Sequence, residues 1–100
     1  MITTVTLNPA VDRTVRVPKL ELHDSNRITL IEPDAGGKGI NCSRVLKELG
    51  ADTTALAFLG GKSGDFVRAV LEREGVELDI IETSKPTREN IAVEEDAAVP

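Results

Sequence analysis

Asp34-Ala35-Gly36-Gly37-Lys38-Gly39-Ile40-Asn41 is the stretch on which the reading of this chain turns. Three glycines in four positions leave a backbone able to take positive φ and to lie close against a ligand. Directly afterwards Cys42, Val45, Leu46 and Leu49 recur at i, i+3, i+4 and i+7, the spacing of one apolar helical stripe. The glycines therefore sit at a helix start, where unpaired N–H groups and the positive end of the dipole face outward. With Lys38 beside them, such a turn suits an anion or the hydroxyls of a sugar. Taken alone, it reads equally well as a flexible turn with an incidental lysine. Two better-known glycine signatures fail. Gly61-Lys62-Ser63 matches the end of a P-loop, but Leu56 stands where its first glycine belongs. Gly37 and Gly39 begin a dinucleotide fingerprint, but Cys42 occupies its last glycine position.

The chain has 100 residues, the length of one small domain or of part of a larger one. Forty per cent of it is apolar, yet only Phe58 and Phe66 are aromatic, so any core is built from Leu, Ile, Val and Ala. A net charge of −5 argues against a general nucleic-acid binder or an anionic-membrane binder, both of which need a basic surface. The single cysteine excludes an internal disulfide framework and suits a reducing cytoplasm. With one cysteine and one histidine, a Cys/His metal site is not expected. Neither a signal peptide nor an apolar run long enough for a bilayer is visible.

Outward from the glycines, the chain alternates two rhythms. Ile2 to Leu7 reads as a buried strand ended by Asn8-Pro9, with Asp12 shortly beyond. An acid past a strand end is well placed to meet a ligand in an α/β fold, although Asp12 by itself also reads as a turn or capping residue. Past the glycines, the first helix ends at Gly50. Thr53 to Leu59 is a compact apolar strand, and a second helix buries Phe66, Val67, Val70 and Leu71. Gly75 caps that helix and Leu78 to Ile81 is the next strand. Strand, helix, strand, helix, strand implies right-handed β-α-β units and a parallel sheet flanked by helices. Thr14 to Val17, Arg27 to Glu32 and Asn90 to Glu94 instead alternate polar and apolar, as strands with one wet face do. They read as a small separate sheet, a lid beside the carboxyl ends of the main strands. Chain order then brings Asp12, Arg27, Gly36 to Asn41 and Arg88 to the junction of sheet and lid. His23 and Lys62 read as solvated residues.

Thr6-Leu7-Asn8-Pro9-Ala10-Val11-Asp12, then Asp34 to Asn41, then Thr87-Arg88-Glu89-Asn90 resemble the N-terminal third of a PfkB-type, ribokinase-superfamily sugar kinase. The likeness covers essentially the whole chain and leans toward 1-phosphofructokinases and tagatose-6-phosphate kinases. It implies a ribokinase-like α/β fold with a β-sheet lid, of which this chain is the N-terminal part only. Residues 1–12 and 34–83 would form the core, and about 13–33 and 87–95 the lid strands. It implies transfer of the ATP γ-phosphoryl group, with Mg²⁺, to a sugar phosphate, most simply fructose 1-phosphate. By resemblance Asp12 hydrogen-bonds sugar hydroxyls, Gly36, Gly37, Lys38 and Asn41 hold the sugar, Arg88 pairs with its phosphate and Arg27 assists. The family's catalytic aspartate lies in a C-terminal Gly-Ala-Gly-Asp segment that is absent here. ATP and Mg²⁺ are accordingly expected to bind mainly through residues beyond this chain, and the piece alone is expected to be inactive and poorly stable. A homodimer through the lid is a further implication, and a hairpin turning back at Val99-Pro100 another.

Overall fold

The computed structural model describes residues 1–96. Strand β1, Ile2–Thr6, is followed by β2, Ala10–Val17, with Asn8 and Pro9 between them. Two short strands come next, β3 at Thr29–Leu30 and β4 at Asp34–Gly36, then helix α1, Lys38–Glu48. Strand β5 (Thr53–Leu59), helix α2 (Gly61–Arg73), strand β6 (Glu77–Glu82) and strand β7 (Arg88–Glu95) complete the chain. The hairpin expected at Val99-Pro100 lies outside the described residues.

Two sheets result. The first has the order β1-β5-β6, every pair parallel, with α1 and α2 as the crossovers. Along β5, Thr53, Ala55, Ala57 and Leu59 are buried and the residues between them are only half-buried. The buried set meets Ile40 of α1 and Val67, Val70 and Leu71 of α2 in one core, so both helices cover the same face. The opposite face carries Val5, Leu56, Phe58 and Ile81, none of them fully buried. Both helices end as the sequence led one to expect: Gly50 N–H reaches the Lys47 carbonyl and Ala51 N–H that of Leu46, and Gly75 and Val76 repeat the pattern on Glu72 and Leu71.

Helix α1 does not bury most of its apolar stripe. Its buried residues are Ile40 and Ser43, whereas Val45 and Leu49 are 55% and 77% exposed and Cys42 is exposed too. The reason is the chemistry of the strands beneath. Thr4 of β1 and Thr53 of β5 point up at α1, and the Ser43 hydroxyl lies 2.6 Å from one and 3.0 Å from the other. A buried hydroxyl needs partners, and this relay supplies them. The sheet-facing side of α1 therefore combines one large apolar side chain, Ile40, with the small polar Ser43. Of its apolar stripe, Cys42, Val45 and Leu49 are exposed and Leu46 is half-buried.

The second sheet is built around β2. Strand β7 runs parallel along one edge for its whole length, Ala10 opposite Arg88 through Val17 opposite Glu95. Strands β3 and β4 share the other edge, both antiparallel. Arg16 faces Thr29 and Val15 faces Leu30, but Asp12 faces Asp34, which leaves one extra residue on the β3–β4 side. Glu32 and Pro33 absorb it, a bulge at a residue with no N–H to give a ladder. Only Val11 and Ala35 of this sheet enter the main core. All eight residues of β7 are exposed.

Candidate functional site

The turn from β4 into α1 joins the two sheets, and its glycines are there for two different reasons. Gly37, the residue before α1, has φ +139 and ψ 138, a conformation that side chains resist. At Gly36 the demand is for space, because a Cβ there would collide with the Asp12 carboxylate. Asp12 thus lies directly over the glycine turn.

Helix α1 has no side-chain cap of its own. The Thr6 hydroxyl, at the carboxyl end of β1, accepts the Ile40 N–H at 2.9 Å instead. This is a cap supplied by another element, satisfying one of the orphan donors of the helix start. It anchors the helix start carrying Lys38 and Asn41 to the end of the central sheet. The Lys38 side chain is exposed, as is that of Asn41.

Asp12 is the third residue of β2, not a turn residue. Its Oδ1 accepts a hydrogen bond from Asn90 Nδ2 at 3.1 Å, across the parallel β2–β7 pair. Asn90 and Arg88 are two apart on β7 and so leave the sheet on the same face. Arg88 donates one N–H to the Asn8 carbonyl at 3.2 Å, in the turn between β1 and β2. A fork of five donors leaves most of that guanidinium available to an anion. Arg88 also borders an open cleft of about 380 Å³ together with Leu7 to Pro9, Phe58 and the 83–87 connection. That cleft lies beyond the carboxyl ends of β1, β5 and β6, where open α/β sheets bind ligands.

Arg88 is held in place by the second glycine turn. Gly60 N–H donates to Thr87 Oγ1 at 3.0 Å, Thr87 N–H to the Gly60 carbonyl at 2.9 Å, and Ser63 Oγ to the Thr87 carbonyl at 2.6 Å. Gly60 and Gly61 thus clasp the chain just before Arg88. Arg27 stands apart, exposed in a coil two residues ahead of β3, with no side-chain partner among the described residues. Asp12, Gly36, Gly37, Lys38, Asn41 and Arg88 surround the turn; Arg27 does not join them.

One network had no signal that singled it out in the sequence. Arg44 of α1 is only 21% exposed and lies between Asp34 and Glu74, with Nε 2.6 Å from Glu74 Oε1 and Nη2 3.1 Å from Asp34 Oδ1. Its Nη1 donates to the Ala35 carbonyl at 2.9 Å. Hydrogen bonding to Glu74 raises its pKa above the ordinary arginine value; burial opposes this, and Asp34 adds to it. Thr6 and Asn90 were also unmarked as site residues. Both lie within the stretches that carry the family resemblance, Thr6 to Asp12 and Thr87 to Asn90, but neither was given a role there.

Among the described residues no group of three or more His, Cys, Asp or Glu could hold a metal ion. No helix of the described residues is long and apolar enough to cross a membrane.

Residues 5–98 match the profile of the pfkB family of carbohydrate kinases. The chain is 45% identical over 91 residues to a 1-phosphofructokinase of Borreliella burgdorferi, covering 91% of this chain and 30% of that protein. It is similar in structure to the phosphofructokinase-2 of Escherichia coli in complex with fructose-6-phosphate, with TM-score 0.90 and 32% identity over 97% of this chain and 32% of that one. The tetrameric inhibited form of the same enzyme matches with TM-score 0.89, at the same identity and coverage. The chain thus spans about a third of the length of the relatives it matches.

Proposed function

This chain belongs to the pfkB family of carbohydrate kinases, and we infer that it is the sugar-holding part of a kinase that phosphorylates a sugar phosphate. The observation that carries this reading is the shared face of β2 and β7. A carboxylate, Asp12, and a cation, Arg88, are offered from it beside a glycine turn and an open cleft. A sugar phosphate has both groups such a face would recognise, hydroxyls to donate and a phosphate to accept.

In this reading Asp12 accepts hydrogen bonds from sugar hydroxyls and is itself oriented by Asn90. The bare backbone at Gly36 and Gly37 lets the ring approach, while Lys38 and Asn41 contact it from the start of α1. Arg88 pairs with the substrate phosphate through the planar fork suited to it. Arg27 could serve only from a chain segment that reached over the bound sugar. ATP supplies the transferred phosphoryl group when bound, and it, its Mg²⁺ and the catalytic aspartate belong to parts of the enzyme beyond this chain. The task of these residues is positioning, which for phosphoryl transfer is a large share of catalysis. A lid closed over the sugar would also keep water from the reaction.

Fructose 1-phosphate is the substrate we assign, supported by the 45% identity to a 1-phosphofructokinase. Fructose 6-phosphate is the second reading, favoured by the likeness to phosphofructokinase-2 in complex with it. Tagatose 6-phosphate, which offers the same kinds of group, is the third candidate. The exposed Leu30, Ile91 and Val93 of the lid strands would suit pairing of two copies through the lid. A cytoplasmic setting accords with the one exposed cysteine. The assay is ATP-dependent phosphorylation by the protein at its full natural length, with the three sugar phosphates compared side by side. Preference for fructose 1-phosphate is expected; turnover of none of them, by a folded protein, leaves a non-catalytic sugar-phosphate-binding module as the better description.

A further inference from the structure

Asp12 and Asp34 are cross-strand partners in the antiparallel β2–β4 pair, so their side chains leave the sheet on the same side. Like charges placed directly opposite one another repel. The two carboxylates are treated very differently by their surroundings. Asp34 Oδ1 takes Arg44 Nη2 at 3.1 Å, its Oδ2 takes Arg44 Nη1 at 3.3 Å, and its own Ala35 N–H adds a third bond at 2.9 Å. Asp12 receives one neutral amide, Asn90.

Arg44 is not merely a local counter-ion. Glu74, just past the end of α2, grips it in a bidentate fork, Nε to Oε1 at 2.6 Å and Nη2 to Oε2 at 2.7 Å. On the other side Arg44 holds the Ala35 carbonyl at 2.9 Å, one residue before Gly36, and its Nη1 lies 3.5 Å from Asn41 Oδ1. One guanidinium therefore joins α1, β4 and the end of α2, the elements that frame the glycine turn.

We propose that Arg44 is a positioning residue for sugar recognition, which by holding Asp34 and the Ala35 carbonyl keeps Asp12 over the turn as the carboxylate that meets the substrate. Without Arg44, Asp34 is an unpaired charge facing Asp12, and the strand carrying Gly36 loses its tie to the helix carrying Lys38. The substrate hydroxyls then meet two competing carboxylates on a loosened turn. The proposal rests on the sugar-phosphate reading above and adds to it a residue that never touches the sugar.

The test uses steady-state kinetics of the full-length protein with fructose 1-phosphate and ATP. Arg44→Gln should raise KM for the sugar phosphate about tenfold, the scale of one hydrogen bond to a charged group, and leave kcat and KM for ATP near wild type. Arg44→Gln combined with Asp34→Asn should return much of the lost affinity, because the unpaired charge is gone. A purely structural brace would give no such rescue. An unchanged sugar KM in Arg44→Gln, a loss spread equally over kcat and both KM values, or a double variant no better than the single one overturns the proposal. Should Arg44→Gln fail to fold, Glu74→Gln decides, since it leaves Arg44 in place and removes its outer anchor. A smaller rise in sugar KM supports the inference and no rise overturns it. Absence of turnover in wild type with any sugar phosphate overturns the functional reading and this inference together, whereas an active wild type with an indifferent Arg44 overturns this inference alone.

Discussion

The two sheets of this chain divide the work. In the parallel sheet, β5 packs Ala55, Ala57 and Leu59 against two helices, and its buried Thr53 is hydrogen-bonded to Ser43 inside. In the sheet around β2, the polar face holds Asp12, Asn90 and Arg88, and β7 is exposed along its whole length. Its ion pairs, Arg13–Glu89 at 2.9 Å and Arg16–Glu94 at 3.3 Å, are solvent-washed and contribute about 0–1 kcal/mol each. The parallel sheet is covered by helices on one face, whereas the sheet around β2 buries Ala10, Val11, Val17 and Ala35 and leaves β7 open, the part to which our reading gives ligand recognition.

If this division holds, substitutions should separate cleanly into those that unfold the protein and those that only spoil recognition. The largest effect is expected at Leu71, fully buried in the main core: Leu71→Ala should cost about 2–5 kcal/mol in a urea titration. Next come Asp12→Asn and Arg88→Ala. Each should raise KM for the sugar phosphate by the equivalent of about 1.5–3 kcal/mol, the worth of a hydrogen bond to a charged group, with little change in melting temperature. A comparable loss of stability in either would show that the second sheet is also a structural core, and the comparison would fail. Thr6→Val removes the borrowed cap of α1 and should cost about 1 kcal/mol of stability, with Thr6→Ser restoring it. Smallest of all, Ile91→Thr on the exposed strand should stay within about 0.5 kcal/mol of wild type in monomeric protein.

The same contrast explains what could be read from the chain and what could not. Strand β5 was legible to its ends, since a short, largely apolar run between turn signals has the length of a strand and not of a helix. The stripe of α2 was legible too, because Val67, Val70 and Leu71 meet an apolar partner face. The stripe of α1 was read correctly as helical, yet three of its four residues, Cys42, Val45 and Leu49, are exposed. Periodicity says which residues are apolar, not whether the surface opposite is Ala or Thr. The glycine stretch hid a strand in its first half, since β4 has only β2 to pair with and no hydrophobic pattern of its own. Arg44 resembled any surface arginine of a helix. Its role depends on Asp34, ten residues back, and Glu74, thirty residues ahead, and no local pattern records such a meeting.

The parallel pairing of β2 with β7 also dictates an order of assembly. Asp12 and Asn90 are 78 residues apart in the chain, with α1, β5, α2 and β6 between them. Bringing such distant segments together carries a loop-closure entropy that the intervening elements reduce only once they have themselves folded. The β-α-β core should therefore condense first, and β7 should arrive last, guided by the clasp of Gly60 on Thr87. Asp12 and Arg88 share a face only after that arrival. If Asp12 and Arg88 hold the sugar phosphate as we propose, a nascent chain that has not yet closed its fold should be unable to capture it, and a ligand that bridges the two strands should slow their reopening.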